Sequence, residues 1–147
     1  MSLKDRLMED LKTSMKNKDA IRKNTITMVR AAIKQIEVDE RKDVSDDEII
    51  AIISKQLKEK RNVIEDFEKG GRDDLVNLTN EEIDILLEYL PKQLTQEEVE
   101  KIVVETIKEI NATSMKDIGL VMKTVMPKVK GKTDGNIVSS IAKKILS

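Results

Sequence analysis

Cysteine, histidine and tryptophan are absent from the 147 residues, and tyrosine and phenylalanine occur once each, as Tyr89 and Phe67. Each absence closes a class of function. Without cysteine there is no disulfide, thiol nucleophile or thiolate metal ligand; without histidine, imidazole acid–base chemistry and the usual zinc ligand sets go too. Two aromatics, neither in the basic part of the chain, give no platform on which splayed bases can stack. No apolar run approaches the roughly 20 residues needed to span a bilayer. The opening MSLKDRLMEDLK carries acids inside its apolar spacing, unlike a signal or transit peptide. A cytoplasmic location and no membrane partner are therefore expected.

What remains is aliphatic and charged, 39% hydrophobic and 37% charged. With so few rings the core must be Ile, Leu, Val and Met, and these recur at helical spacing, not strand spacing. Leu3, Leu7, Leu11 and Met15 mark a first helix opened by Ser2, and Asp19 caps a second along Ile26, Val29, Ile33 and Ile36. Ser45 with Glu48 spells a capping box; its helix carries Ile49, Ile52, Ile53, Leu57, Ile64 and Phe67 and stops at Gly70-Gly71. A fourth helix, with Leu75, Ile83, Leu86, Leu87 and Leu90, reaches Pro91, whose fixed φ and missing N–H discourage continuation.

Thr95 with Glu98 spells a second capping box, opening a fifth helix through Val99, Ile102, Val103, Ile107 and Ile110. Ser114 caps a sixth, with Ile118, Val121, Met122 and Val125, and Asp134 a seventh, with Ile137, Val138, Ile141 and Ile145. The expected fold is all-α: an N-terminal helical bundle over residues 1–91 and a small C-terminal three-helix domain over 92–147, hinged at Leu90-Pro91-Lys92.

The net charge of −1 hides an asymmetry. Residues 1–90 hold 17 basic against 21 acidic side chains, and residues 91–147 hold 10 against 7. In the last 33 residues Lys116, Lys123, Lys128, Lys130, Lys132, Lys143 and Lys144 face only Asp117 and Asp134. Such a basic end suits a polyanionic partner.

The acids point away from catalysis. Asp46-Asp47-Glu48 and Glu97-Glu98 sit just inside helix starts, where the helix dipole stabilises negative charge, so no metal site is expected. The serines are caps or lie mid-helix. A Ser140–Lys144 pair one turn apart lacks an oxyanion hole, and neither GxxxxGK[ST] nor GxGxxG occurs. No catalytic residue and no cofactor are expected.

One stretch stands out, MPKVKGKTDG from Met126 to Gly135. Pro127 removes a helical hydrogen bond, Gly131 can take positive φ past the helix end, and Lys128, Lys130 and Lys132 crowd the turn. Asp134-Gly135 starts the next helix, whose N–H groups suit a phosphate. Gly119, early in the sixth helix, costs about 1 kcal/mol relative to alanine, a cost offset by a tight helix crossing or by close approach of a ligand. Met115, Met122 and Met126 fit core filling or, less simply, a plastic binding face.

These residues form a pattern. Tyr89-Leu90-Pro91-Lys92-Gln93-Leu94, Gly119 to Met122 and Met126 to Gly135 resemble the YqeY family, and the likeness extends over essentially the whole chain. That family is similar to the C-terminal helical and tail region of GatB, a subunit of the glutamine-dependent amidotransferase that acts on mischarged tRNA, a carbon–nitrogen ligase. The resemblance implies an all-α fold and tRNA as a ligand. Neither the GatB kinase domain nor the partner subunit's Ser-Ser-Lys amidase machinery is matched. Gly119, Lys123, Lys128, Lys130, Gly131, Lys132, Asp134 and Gly135 are the candidate tRNA-binding residues. The expectation is a stand-alone tRNA-binding or accessory module, not catalytic by itself and without DNA specificity. The alternative is a helical adaptor docking a partner such as the amidotransferase through the methionine face of the sixth helix.

Overall fold

The computed structural model describes residues 1–147 and contains seven α-helices and no strand, as the periodicity predicts. The chain divides into two compact units, Met1–Leu90 and Pro91–Ser147, each with its own buried aliphatic cluster.

The first unit holds α1 (Leu3–Lys16), α2 (Ala20–Glu40), α3 (Asp46–Lys69) and α4 (Asp73–Leu87). Its helix starts are local events: Ser2 accepts from the Asp5 amide, Asp19 from that of Arg22, and the Ser45–Glu48 capping box is fully formed. α1 packs on α2 and α3, and α4 packs on α2 and α3. Leu7, Ile26, Val29, Ile49, Ile53 and Leu86 are almost completely buried between them. Met15, expected on the buried stripe of α1, is half exposed, and Ser14 takes its place, its hydroxyl donating to the Leu11 carbonyl at 2.8 Å. The reason is geometric: steps of four residues advance about 40° beyond a full turn, so the third step from Leu3 has rotated off the face.

The second unit holds α5 (Gln96–Glu109), a 3₁₀ turn (Met115–Asp117), α6 (Ile118–Val129) and α7 (Gly135–Leu146). All three helices pack on one another around a valine core: Val99, Val103, Val121, Val125, Val129 and Val138 have no exposed surface. Short branched side chains allow close helix approach. The expected sixth helix begins one element late, because Ser114 caps the 3₁₀ turn first. It then runs through Pro127 to Val129, whose side chain anchors its last turn in the core. On α7 the buried face is Val138, Ile141, Ala142 and Leu146, while Ile137 and Ile145, both expected inside, remain 42% and 38% exposed. No helix is long and apolar enough to cross a membrane.

Candidate functional site

The candidate residues all lie in the second unit, on α6 and the corner leading to α7. Lys123 is exposed on the outer face of α6, and Lys130, at the end of that helix, is exposed where the backbone turns out of helical geometry. Lys116, in the preceding 3₁₀ turn, is exposed as well. Lys123 and Lys130 follow it at seven-residue spacing, Lys123 within α6 and Lys130 at the non-helical cap position beyond it.

Lys128 behaves differently. Its ammonium group donates to Thr106 Oγ1 at 3.0 Å and pairs with Glu109 at 2.9 Å, both on α5. Thr106 is fully buried, so this lysine satisfies an interior hydroxyl and ties α6 to α5. Of the three lysines that crowd this turn, Lys128 thus has its ammonium group engaged by α5, although its side chain remains 41% exposed.

The corner beyond is built, not loose. Gly131 takes φ +73°, the left-handed conformation expected of it. Its carbonyl accepts from Gln93 Nε2 at 2.7 Å, the same amide that reaches the Pro91 carbonyl. The Lys132 carbonyl accepts from the Leu94 amide at 2.9 Å, and its own amide donates back to Val129. The segment before α5 therefore pins the backbone of the α6–α7 corner, where Lys132 is half-buried.

Asp134 caps α7, its carboxylate accepting from the Asn136 amide at 2.8 Å and its carbonyl from Ile137 at 3.0 Å. At the helix end read from the sequence as suited to a phosphate, the capping carboxylate engages the Asn136 amide. A methyl group in place of the Gly135 hydrogen would lie 3.5 Å from Met126 Cε, ordinary van der Waals contact. A methyl group at Gly119 would meet nothing within 4 Å, so the tight helix crossing is absent and the backbone there is bare. Of the three methionines in this part of the chain, Met122 and Met126 are partly buried against the valine core and Met115 is exposed, so the face the adaptor reading relies on is mostly turned inward.

Between the start of α5 and α7 a groove of about 290 Å3 opens, lined by Leu94, Gln96, Asn136, Ile137, Ser140 and Ile141 among others. Helix periodicity places Ile137 on the apolar stripe, and nothing in the sequence marks it as a groove wall. In the first unit a polar cluster surrounds the one tyrosine. Tyr89 is buried, its hydroxyl donates to Asp10, and Arg6 lies over its ring at 4.6 Å. Arg6 also donates to the Glu88 carbonyl at 2.9 Å, and Arg22 to the Glu88 carboxylate at 2.8 Å. Burial first, and the Asp10 carboxylate second, raise the Tyr89 phenol above its ordinary range. At the start of α5 the Thr95 backbone amide holds the Glu98 carboxyl below its usual value. No group of three or more potential acidic ligands gathers as a metal site would require.

A family profile described as Yqey-like protein matches residues 4–146, nearly the entire chain. The chain belongs to the YqeY family. Curated YqeY relatives share the name "Altered inheritance of mitochondria protein 41, mitochondrial". One from Kluyveromyces lactis is 33% identical over 131 residues, covering 86% of this chain and 69% of the relative. One from Pyrenophora tritici-repentis is 28% identical over 144 residues, covering 96% and 79%. A third, from Vanderwaltozyma polyspora, is 32% identical over 129 residues, covering 86% and 69%. These names overturn the expectation of a cytoplasmic location, since they point to mitochondria. The cysteine argument behind that expectation excludes only disulfide-based folds, and it never separated one disulfide-free compartment from another.

Proposed function

We propose that this YqeY-family chain is a stand-alone tRNA-binding accessory module related to the tail of the tRNA-dependent amidotransferase, and that it does no chemistry alone. The observation that carries the reading is that Lys123 on α6 and Lys130 at its C-terminal cap stand exposed with no acidic partner, with Lys116 exposed in the turn before the helix. Between Lys116 and Lys123 lie the bare backbone of Gly119 and an exposed Leu120. Ammonium groups spread along one ridge engage phosphates with little regard to base sequence. Lys132 adds a further cation at the pinned corner, while Lys128 serves the fold.

The test is binding of labelled tRNA at several salt concentrations. Three phosphate contacts give log K against log salt a slope of roughly −2 to −3. Lys123→Ala with Lys130→Ala removes two of them and flattens the slope by about two, with an unchanged helical signal. A slope or affinity indifferent to that pair of substitutions removes the ridge from consideration. The adaptor reading predicts instead that capture of the amidotransferase survives nuclease and moderate salt.

A further inference from the structure

Resting on that reading of the second unit, we infer that the α5–α7 groove receives one unstacked adenine of the bound RNA. The groove's volume, about 290 Å3, lies at the lower edge of ligand pockets, which run from ~300 to 1,000 Å3. A volume of this size suits a single flat ring system. Its lining includes two residues with side-chain amides, Gln96, the first residue of α5, and Asn136, the second residue of α7. Both residues are exposed, and only the backbone amide of Asn136 is engaged within the chain, by Asp134. A carboxamide offers a donor and an acceptor side by side, the pairing that reads the N6 and N7 edge of adenine.

The lining also carries apolar surface from Leu94, Ile137 and Ile141, and Ile137 is 42% exposed. A base laid there buries that surface without needing an aromatic ring. Charge decides for a neutral ligand over a phosphate. Both helix ends at the groove are capped by carboxylates, Glu98 on α5 and Asp134 on α7, which repel an anion. Phosphates are drawn instead to Lys130 and Lys132. Lys130 lies three residues before Thr133 on the groove wall, a span of at most about 11 Å. The Gln93 and Leu94 hydrogen bonds to the α6–α7 corner hold the two walls in place before any ligand arrives, which lowers the ordering cost of binding.

The full chain, isotopically labelled, is titrated with adenosine monophosphate and, separately, with ribose 5-phosphate. Adenosine monophosphate is expected to shift the side-chain amide resonances of Gln96 and Asn136 and the backbone signals of Ile137 and Ile141; ribose 5-phosphate is expected to leave them still. In parallel, Gln96→Ala with Asn136→Ala is expected to weaken tRNA binding roughly ten- to a hundredfold, and Ile137→Trp, which fills the groove from an exposed position, to do the same. If tRNA binds these variants as it binds the parent while Lys123→Ala with Lys130→Ala weakens it, the groove inference is overturned and the ridge stands. If the parent binds no tRNA yet adenosine monophosphate shifts the four residues, the pocket stands and the tRNA reading falls.

Discussion

Tyr89 is the chain's one tyrosine, so its ionisation is read without interference from another phenol or any tryptophan. Its hydroxyl is buried and donates to Asp10, and both effects keep it protonated in the folded state. A folded-state pKa above the unfolded value near 10 means that the contribution to stability is complete below about pH 10 and declines as pH rises beyond it. Absorbance titration of the native protein should therefore show the phenolate appearing well above the transition seen in denaturant. The melting temperature should fall more steeply above about pH 10 in the parent than in Tyr89→Phe. At neutral pH that substitution should cost about 1–2 kcal/mol, by loss of a hydrogen bond to a charged acceptor. A native titration midpoint at the ordinary value contradicts the buried arrangement. A second contrast separates two lysines that look alike in sequence. Lys128→Ala should destabilise the protein by about 1 kcal/mol, because Thr106 loses its partner inside the core, and should alter the salt slope little. Lys123→Ala should leave the melt in place and reduce tRNA affinity; the reverse assignment would refute the placement of both side chains.

Among the helices, α6 makes the most pointed prediction, because Gly119 sits in its first turn with open space around it. Gly119→Ala meets no atom, so it should raise helix stability by about 0.5–1 kcal/mol, measured by denaturant midpoint. If an RNA backbone approaches the bare Cα there, the same change should lower tRNA affinity, so stability and binding move in opposite directions. Affinity and stability rising or holding together would mean that Gly119 serves no contact. The elements also show what a sequence discloses. Ser45 with Glu48, Thr95 with Glu98, and Asp134 were legible because a cap is decided within three residues. The left-handed Gly131 was legible for the same reason. Lys128 was not, since its partners Thr106 and Glu109 lie about twenty residues away and are set by how α5 pairs with α6. The α5–α7 groove escaped notice likewise: its walls come from two helix starts that only the packing of three helices brings together, and Ile137 reads as core by spacing alone.

At the scale of the whole molecule, the two buried clusters share no residue: one runs from Leu7 to Tyr89 in sequence, the other from Val99 to Leu146. Units of this size bury only about 60% of the surface their unfolded chains expose, so the second, Pro91–Ser147, has a thin margin. Its core is made of valines, each contributing less apolar area than leucine or isoleucine. Tyr89 belongs to the first cluster, so tyrosine fluorescence follows that unit, while far-ultraviolet circular dichroism follows the helices of both. Two independent cores predict that the probes diverge in denaturant, with part of the helical signal lost before the fluorescence changes. Val125→Ala leaves a cavity in the second core at a cost of about 2 kcal/mol. It should move the earlier part of the dichroism transition to lower denaturant and leave the Tyr89 midpoint where it was. If both probes shift together by the same amount, the chain unfolds as one cooperative body. The second unit would then draw its stability from the first, and substitutions on the α6 ridge would have to be judged against the stability of the entire protein.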